Sequence, residues 1–249
     1  MRVGMIGTGA ISHKHAQAYK NIGYKLAVCT DIMEEPGRRF ADQYGAQFVK
    51  TYEEVCSHPD VDFVDVCTFP DFRLQPLEIC AKHGKHIQVQ KPISTSVETA
   101  RKMIETARAT NRILQVGSQR VSSIIYVKAK ELLASGAIGQ LNMVNAHWDR
   151  NSAMGAWNYT VPLDASTETC DWNQFLGSAP KIPFNAEHFF KWRKWKAYGT
   201  GVAGDLFVHL FSGTHFITGS NGPTRAMATG GLRFWKDGRD ANDVLLGLL

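Results

Sequence analysis

Short apolar runs rich in β-branched residues alternate with amphipathic stretches through the first half of the chain. This alternation predicts a parallel sheet with helices on both faces. The predicted strands are Val3–Ile6, Leu26–Thr30, Phe63–Cys67, His86–Gln90 and Ile113–Val116. The predicted helices are Ser12–Asn21, Pro36–Tyr44, Leu74–His83 and Val97–Thr110, the last beginning at a capping box formed by Thr95 and Glu98.

The pattern changes after about residue 121. A predicted helix, Ser123–Ala134, leads into a predicted strand, Leu141–Trp148, and then into a long aromatic region interrupted by glycine and proline. We therefore expect two domains, residues 1–121 and 122–249. The final residues, 242–249, predict a strand that stops at its most apolar point, so we expect the second domain to be incomplete.

Composition excludes several classes of protein. The 249 residues are 44% apolar, which is ordinary for a globular protein. No run is long enough to cross a membrane and no export signal precedes the first strand, so we expect a cytoplasmic protein. The five cysteines form no Cys-x-x-Cys pair, and we predict no metal site. The net charge of +5 is spread along the chain, which slightly favours an anionic small molecule over nucleic acid as partner.

A glycine turn directly follows the first predicted strand. Gly7-Thr8-Gly9-Ala10-Ile11-Ser12 fits the pattern G-x-G-x-x-small residue and directly precedes a predicted helix. In this context Gly7 makes the tight turn and Gly9 lets the backbone approach a pyrophosphate at the positive helix end. Gly7, Gly9, Ala10 and Ile11 are therefore candidate cofactor-binding residues, although such glycines can also simply close a strand-to-helix turn.

An acidic residue adds weight to the dinucleotide interpretation. Asp31 lies 22 residues after Gly9, at the end of the second predicted strand, where a carboxylate binds the adenosine ribose hydroxyls. It would repel a 2′-phosphate, so NAD is favoured over NADP. Arg38 and Arg39 keep NADP open, although they also suit an ordinary helix surface of mixed charge.

Two further segments carry groups suited to moving a hydroxyl proton. Lys91 follows the strand His86–Gln90 and precedes Pro92, which holds it in an extended geometry. Asp205, His209 and Ser212 stand at i, i+4 and i+7 and would form one polar stripe on an otherwise apolar helix. Such a stripe suits a pocket lining, and its alternative is an internal Asp–His pair with a structural role.

These motifs resemble the Gfo/Idh/MocA family, the sugar and inositol dehydrogenases related to glucose-fructose oxidoreductase and inositol 2-dehydrogenase. The similarity runs through the glycine turn with His15, through Gln90-Lys91-Pro92 and through residues 199–209, and covers essentially the whole chain. It implies an N-terminal Rossmann domain with a doubly wound parallel sheet, which binds NAD. It also implies a C-terminal α+β domain on an open, mainly antiparallel sheet that often serves assembly into dimers or tetramers.

The resemblance also implies roles for individual residues. Lys91 would lie between nicotinamide and substrate, and Asp205 and His209 would form the acid–base pair. Thr68, Pro70, Gln90 and Lys91 would contribute to the cofactor site. Three features depart from the family pattern: Gln90 replaces the usual glutamate, Thr68-Phe69-Pro70-Asp71 replaces a threonine-proline stretch, and Leu74 stands where histidine is frequent.

Cations and aromatics interleave in residues 190–196. This composition can serve nucleic-acid stacking, but no nucleic-acid-binding motif surrounds it. A sugar pocket explains it better, because tryptophan faces accept the apolar side of a pyranose and arginine binds hydroxyls or a carboxylate. Arg193, Trp195 and Tyr198 are therefore the candidate substrate-binding residues, and ordinary packing is the alternative.

Three functions remain open at this point. The first is an NAD-dependent oxidoreductase acting on a sugar, cyclitol or derivative, assembled as a homodimer or homotetramer. The second keeps the same residues but uses transient oxidation to cleave a glycoside. The third is a non-catalytic dinucleotide-binding or sensor protein.

Overall fold

A computed structural model describes residues 1–249, which divide into two compact units, Met1–Gly117 and Ser118–Leu249. The first unit is built on a parallel sheet of six strands. Its strands are β1 Arg2–Ile6, β2 Lys25–Thr30, β3 Gln47–Phe48, β4 Phe63–Val66, β5 His86–Gln90 and β6 Leu114–Gly117. Its helices are α1 Ala10–Asn21, α2 Glu34–Tyr44, α3 Tyr52–Ser57, α4 Leu74–Lys82 and α5 Val97–Ala109.

The strand order is β3-β2-β1-β4-β5-β6, so the chain reverses its direction of travel between β1 and β4. This is the doubly wound Rossmann order, in which ligands bind beyond the carboxyl ends of the strands at the reversal point. The fold class predicted from the sequence is thus confirmed for the first unit.

Alternate strand residues fill two apolar layers, as the period of a strand requires. Val3 and Met5 of β1 pack with α1 and α2 on one face, while Ile6 joins the layer formed with α3, α4 and α5 on the other. Strand β4 is buried along its whole length. The rigid centre of the sheet therefore positions the loops after β1, β4 and β5.

The predicted strands and helices of this unit are all present, with ends shifted by at most two residues. The predicted capping box was wrong: Ser96, and not Thr95, caps α5 by accepting a hydrogen bond from the Thr99 amide at 3.1 Å. A true capping box lies at α3, between Thr51 and Glu54. Helix α3 and the two-residue strand β3 were not predicted.

The second unit has shorter elements. Its helices are α6 Ile124–Ala134, α7 Trp172–Leu176, α8 Ala186–Phe190 and α9 Val208–Thr218, and a π-helical turn, Ala203–Phe207, leads directly into α9. Strands β7 Met227–Gly231 and β8 Val244–Leu248 form an antiparallel pair. The predicted terminal strand therefore exists, in a small antiparallel sheet.

The predicted strand Leu141–Trp148 was wrong. Residues 139–150 form neither helix nor strand, and residues 139–147 are exposed. A strand is stable only when a neighbour pairs with its backbone groups, and this segment has no ladder partner. Its apolar pattern is therefore insufficient to make it a strand.

The tryptophans are distributed unevenly between the two units. All six lie in the second unit, at Trp148, Trp157, Trp172, Trp192, Trp195 and Trp235. None of the helices combines the length and the apolar character that a membrane crossing requires.

Candidate functional site

The glycine turn connects β1 to α1. Gly7 has a φ of 88°, and a Cβ there would lie 3.1 Å from the Cys67 carbonyl oxygen, so only glycine fits without strain. Gly9 is the N-cap of α1, and a Cβ there would meet nothing within 4 Å. No side chain caps the helix, and Ala10 and Ile11 are exposed. The turn therefore offers uncapped amides and open space at a positive helix end, which suits a phosphate group.

Asp31 is tied to this turn. Its Oδ2 accepts hydrogen bonds from the Thr8 amide at 2.7 Å and the Thr8 hydroxyl at 2.8 Å, and its Oδ1 accepts one from the Met33 amide at 2.9 Å. The structure thus brings the predicted phosphate-binding turn and the predicted ribose-binding carboxylate into direct contact. The two motifs fit NAD as one continuous surface at the end of β1 and β2.

The two arginines that kept NADP open have partners on their own helix. Arg38 donates to Glu34 at 2.7 Å and Arg39 donates to Glu35 at 2.7 Å, both with i,i+4 spacing. The pKa of the Glu34 carboxyl is accordingly lowered, first of all by the hydrogen bond from Arg38. These contacts suit a helix surface of mixed charge.

Lys91 lies directly after β5, is half-buried and precedes a cis peptide bond to Pro92. Gln90 is the last residue of the strand. Thr68 lies just beyond β4, and Pro70 begins a short 3-10 helix, Pro70–Phe72. The structure therefore places all four predicted residues at the carboxyl edge of the sheet, where a Rossmann domain binds its cofactor.

Arg73, which was not predicted as a site residue, links the loops that follow β4 and β5. Its guanidinium is buried and donates to the Thr68 carbonyl at 2.6 and 3.0 Å, and to the carbonyls of Gln90 and Pro92 on either side of Lys91. A lone arginine before a helix carries no periodic signal. Its role follows only from carbonyl groups that two separate loops bring to one place.

A second polar cluster lies where β4 faces α1. Asp65 is fully buried, and its Oδ2 lies 2.6 Å from His15 Nδ1 and accepts the Tyr19 hydroxyl at 2.7 Å. Cys67 Sγ lies 3.5 Å from Asp65 Oδ1. The ligating atoms of His15, Asp65 and Cys67 are within 4.8 Å of one another, a spacing that a metal ion can also use. The absence of a metal site stays a prediction.

Burial keeps the hydroxyl and the thiol of this cluster protonated. It raises the pKa of the Tyr19 hydroxyl and of the Cys67 thiol well above their usual ranges, and in both cases the Asp65 charge adds to the effect. Both groups therefore keep their protons and act as donors towards Asp65.

In the second unit, Asp205 lies on the π-helical turn and His209 in the first turn of α9. Both side chains are buried. Asp205 Oδ1 accepts a hydrogen bond from Arg193 Nε at 3.2 Å, so the structure brings together two residues that the sequence predicted separately. Ser212 accepts a hydrogen bond from the Ser118 hydroxyl at 2.7 Å.

Trp148 is the one half-buried residue in its exposed segment and contacts the predicted acid–base residue. Its ring stacks on His209 with 5.0 Å between centroids and 19° between planes. The Arg120 guanidinium lies 4.7 Å from the same indole centroid. This contact was not predicted, because Trp148 was expected to end a strand.

Trp195 and Tyr198 meet at His188. The Trp195 ring stacks on the imidazole at 3.9 Å, and the Tyr198 hydroxyl lies 2.9 Å from His188 Nδ1. Burial lowers the pKa of His188 and raises that of Tyr198. Tyr198 is buried and Trp195 is half-buried.

A surface cavity of about 620 Å³ lies elsewhere on the first unit. Its lining includes Arg2, Lys25 and Leu26, which begin β1 and β2. It therefore opens at the amino edge of the sheet, opposite the edge that carries the glycine turn and Lys91.

Comparison with known proteins agrees with this geometry. Residues 1–118 match the Gfo/Idh/MocA sequence family, described as an oxidoreductase family with an NAD-binding Rossmann fold. The matched residues coincide with the first unit, which therefore carries the sequence pattern of this family. The first unit is thus an NAD-binding Rossmann domain, as the sequence predicted. Myo-inositol 2-dehydrogenase of Thermotoga maritima is 32% identical over 144 residues, which are 56% of this chain and 42% of that enzyme.

Solved structures of similar fold extend over more of the chain. An oxidoreductase from Desulfitobacterium hafniense, provisionally described as NADPH-dependent, superposes with a TM-score of 0.74 at 21% identity, covering 99% of this chain and 62% of its own. GenD2 from gentamicin A biosynthesis, solved with NAD, gives a TM-score of 0.70 at 20% identity, covering 99% and 61%. In sequence, the chain spans about half the length of the relatives it matches.

Proposed function

We propose that this chain serves an NAD-dependent oxidoreductase that transfers a hydride between a carbon bearing a hydroxyl group and nicotinamide. The observation that carries the proposal is the joined surface of the glycine turn and Asp31, with open space at Gly9. Lys91 at the neighbouring strand end supports it. The similarity to a myo-inositol 2-dehydrogenase supports a cyclitol, a sugar or a related polyol as substrate.

Each part of the turn has a separate role in holding the cofactor. The amides at Gly9, Ala10 and Ile11 would hold the pyrophosphate, and Asp31 would accept the ribose hydroxyls. The bound nicotinamide would supply the hydride acceptor or donor. A 2′-phosphate would bring negative charge against Asp31. Arg38 and Arg39, which could compensate that charge, are paired with Glu34 and Glu35. NAD is therefore the proposed cofactor, in preference to NADP.

The catalytic roles follow from the chemistry of the side chains. Lys91 polarises the substrate oxygen with its ammonium, and His209 accepts or returns the hydroxyl proton. Asp205 orients His209 and contacts a neighbouring hydroxyl, while Arg193 holds Asp205 in place through its 3.2 Å contact. Trp148 limits the tilt of the His209 ring by stacking on it.

The proposed substrate-binding residues lie in and just after the aromatic segment 190–196. Arg193 would bind substrate oxygens, and the Trp195 ring would accept the apolar face of a ring-shaped polyol. Tyr198 would act through His188, because its hydroxyl is engaged with that imidazole. A homodimer or homotetramer in the cytoplasm is part of the same proposal, and β7 and β8 expose Met227, Leu246 and Leu248 for such assembly.

The first test is a fluorescence titration of the purified chain with NADH and, separately, with NADPH. We expect the dissociation constant for NADH to be lower than that for NADPH by about tenfold or more, which corresponds to about 1.4 kcal/mol of binding free energy. Asp31→Ala should reduce that preference. If the folded chain binds neither nucleotide, the proposal is wrong for this chain.

The second test compares two lysines in a screen of cyclitols and sugars. Lys91→Ala should lower turnover by about 10² to 10⁴ while NADH affinity stays within a few-fold, because the ammonium acts on the reacting oxygen. Lys82→Ala, at an exposed end of α4, is the matched control and should change neither quantity. Equal effects of the two substitutions would contradict the assignment of Lys91.

A further inference from the structure

Four polar side chains form a continuous line from α1 and β4 to the residue before Lys91. Tyr19 and His15 stand one turn apart on α1, and both contact Asp65 Oδ2, at 2.7 and 2.6 Å. The other ring nitrogen, His15 Nε2, lies 3.1 Å from Gln90 Nε2. Gln90 ends β5, so the line begins in the buried core and reaches the strand end that carries Lys91.

The buried carboxylate fixes the tautomer of His15. In its carboxylate form Asp65 accepts hydrogen bonds and donates none, so the 2.6 Å contact requires a proton on His15 Nδ1. A neutral ring then presents a lone pair at Nε2, which faces the Gln90 amide nitrogen. The amide donates to that lone pair, and its carbonyl oxygen Oε1 necessarily occupies the other edge of the amide group. Each link therefore determines the orientation of the next.

Gln90 suits a neutral His15 and glutamate does not. A glutamate at position 90 would place a second acceptor against Nε2, and the contact would require a proton on both ring nitrogens. With glutamine, the contact is made without adding charge. The replacement of the family's usual glutamate is thus matched by the hydrogen-bond direction that Asp65 imposes.

Gln90 is held at two points. Its side chain contacts His15, and its main-chain carbonyl accepts a hydrogen bond from the buried Arg73 guanidinium, which also binds the Pro92 carbonyl. Lys91 lies between these two carbonyl anchors. The direction in which the lysine leaves the strand therefore depends on how Gln90 is fixed.

We propose that Asp65 and His15 are positioning residues, which fix the Gln90 amide and, through it, the strand end that presents Lys91. The effect of this line on turnover rests on the proposed function of Lys91. The direction of the hydrogen bonds between Asp65, His15 and Gln90 does not depend on that function. A spectroscopic measurement can therefore test it without any substrate.

The primary test is ¹⁵N NMR of the imidazole side chains in the full chain at neutral pH, with His15 assigned by its loss in His15→Asn. We expect a protonated Nδ1 and an unprotonated Nε2 in the parent protein. Gln90→Glu should convert His15 to the doubly protonated ring. A parent ring with its proton on Nε2, or protons on both nitrogens, would overturn the proposal, as would an unchanged ring in Gln90→Glu.

The second test separates positioning from folding and from cofactor binding. Gln90→Met removes the amide at a half-buried position and should lower turnover by about 10- to 100-fold when it is measured at saturating NADH, so that weaker cofactor binding does not contribute. Asp65→Asn should act in the same direction and also alter the His15 ring signals. His13→Asn is the matched control on α1, where His13 contacts Tyr44 instead, and it should leave both the His15 signals and turnover unchanged.

The outcomes of these two tests are distinct. Unchanged turnover in Gln90→Met would refute positioning of Lys91. If the parent protein turns over no substrate, the proposed function fails, while the ring signals of His15 still decide the direction of the hydrogen bonds.

Discussion

The two units bury different kinds of side chain. In the first unit the largest fully buried side chains are all apolar, among them Phe40, Met5 and Leu77, and they fill the layers on both faces of one sheet. In the second unit the largest fully buried side chain is Lys194, and α6 has no buried residue. The first unit therefore has an apolar layer on each face of one sheet, whereas the second combines a smaller set of buried aromatic side chains with buried ion pairs.

Lys194 shows what such a pair involves. Its ammonium contacts Asp237 at 2.8 Å, and the same carboxylate receives the buried Arg239 guanidinium at 2.7 Å. Arg239 also donates to the Ala156 carbonyl at 2.9 Å. A single carboxylate thus compensates two buried cations and joins three separate segments of the second unit.

The largest expected loss of stability comes from removing this carboxylate. Asp237→Ala should reduce the free energy of unfolding by about 3 to 5 kcal/mol, because it leaves two buried cations without their carboxylate. Urea unfolding followed by circular dichroism measures it. Lys194→Met is the control, and its cost should be smaller because Asp237 keeps Arg239. An equal or larger loss in Lys194→Met would show that packing of the long side chain matters more than charge.

The next effect tests the apolar unit. Leu77→Ala should cost about 2 to 5 kcal/mol, since it opens a cavity in the layer between the sheet and α4. Ile125→Ala on the exposed surface of α6 should change stability by less than about 0.5 kcal/mol. Similar losses for both, measured by urea unfolding, would contradict the contrast between the two units.

A smaller effect concerns binding. Gly9→Val should weaken NADH binding by about tenfold or more, about 1.4 kcal/mol, because the side chain fills the space open to the pyrophosphate. The melting temperature should stay nearly constant, since a Cβ at this position meets no atom of the fold. Unchanged affinity for NADH in the titration would remove Gly9 from the cofactor site.

The smallest effect near neutral pH comes from the titration of Asp237. Hydrogen bonds from Arg239 and then Lys194, which outweigh its burial, hold the pKa of this carboxyl far below its usual range. Its contribution to stability is therefore complete above the ordinary aspartate pKa of about 4 and is lost as the pH falls below it. Melting curves from pH 7 to pH 3 should show a steeper decline than in Asp237→Asn. Parallel declines would indicate that other carboxylates dominate acid unfolding.

The success of prediction from the sequence also differs between the two units, and it is greater for the first. The strands of the first unit, the glycine turn and Asp31 carry their signals within short windows, and apolar burial reinforces each of them. Even there, β3 is too short to show a period, and the capping box of Thr51 and Glu54 was present in the sequence but missed.

The remaining site residues depend on contacts between distant positions. His15 meets Asp65 across 50 residues and Gln90 across 75 residues of sequence, and Arg73 meets carbonyls that only the finished sheet brings together. Trp148 lies in a segment whose alternating pattern indicates a strand, yet it pairs with no neighbour and stacks on His209 instead. Local patterns cannot specify such partners, because each depends on where another element comes to rest.

The confinement of all six tryptophans to the second unit gives that unit an optical reporter of its own. Tryptophan emission monitors that unit alone, whereas the first unit contains tyrosine but no tryptophan. If emission and far-ultraviolet ellipticity change at the same denaturant concentration, the chain unfolds as one cooperative body. If emission changes first, the second unit opens while the Rossmann sheet is still folded, and the two units unfold independently.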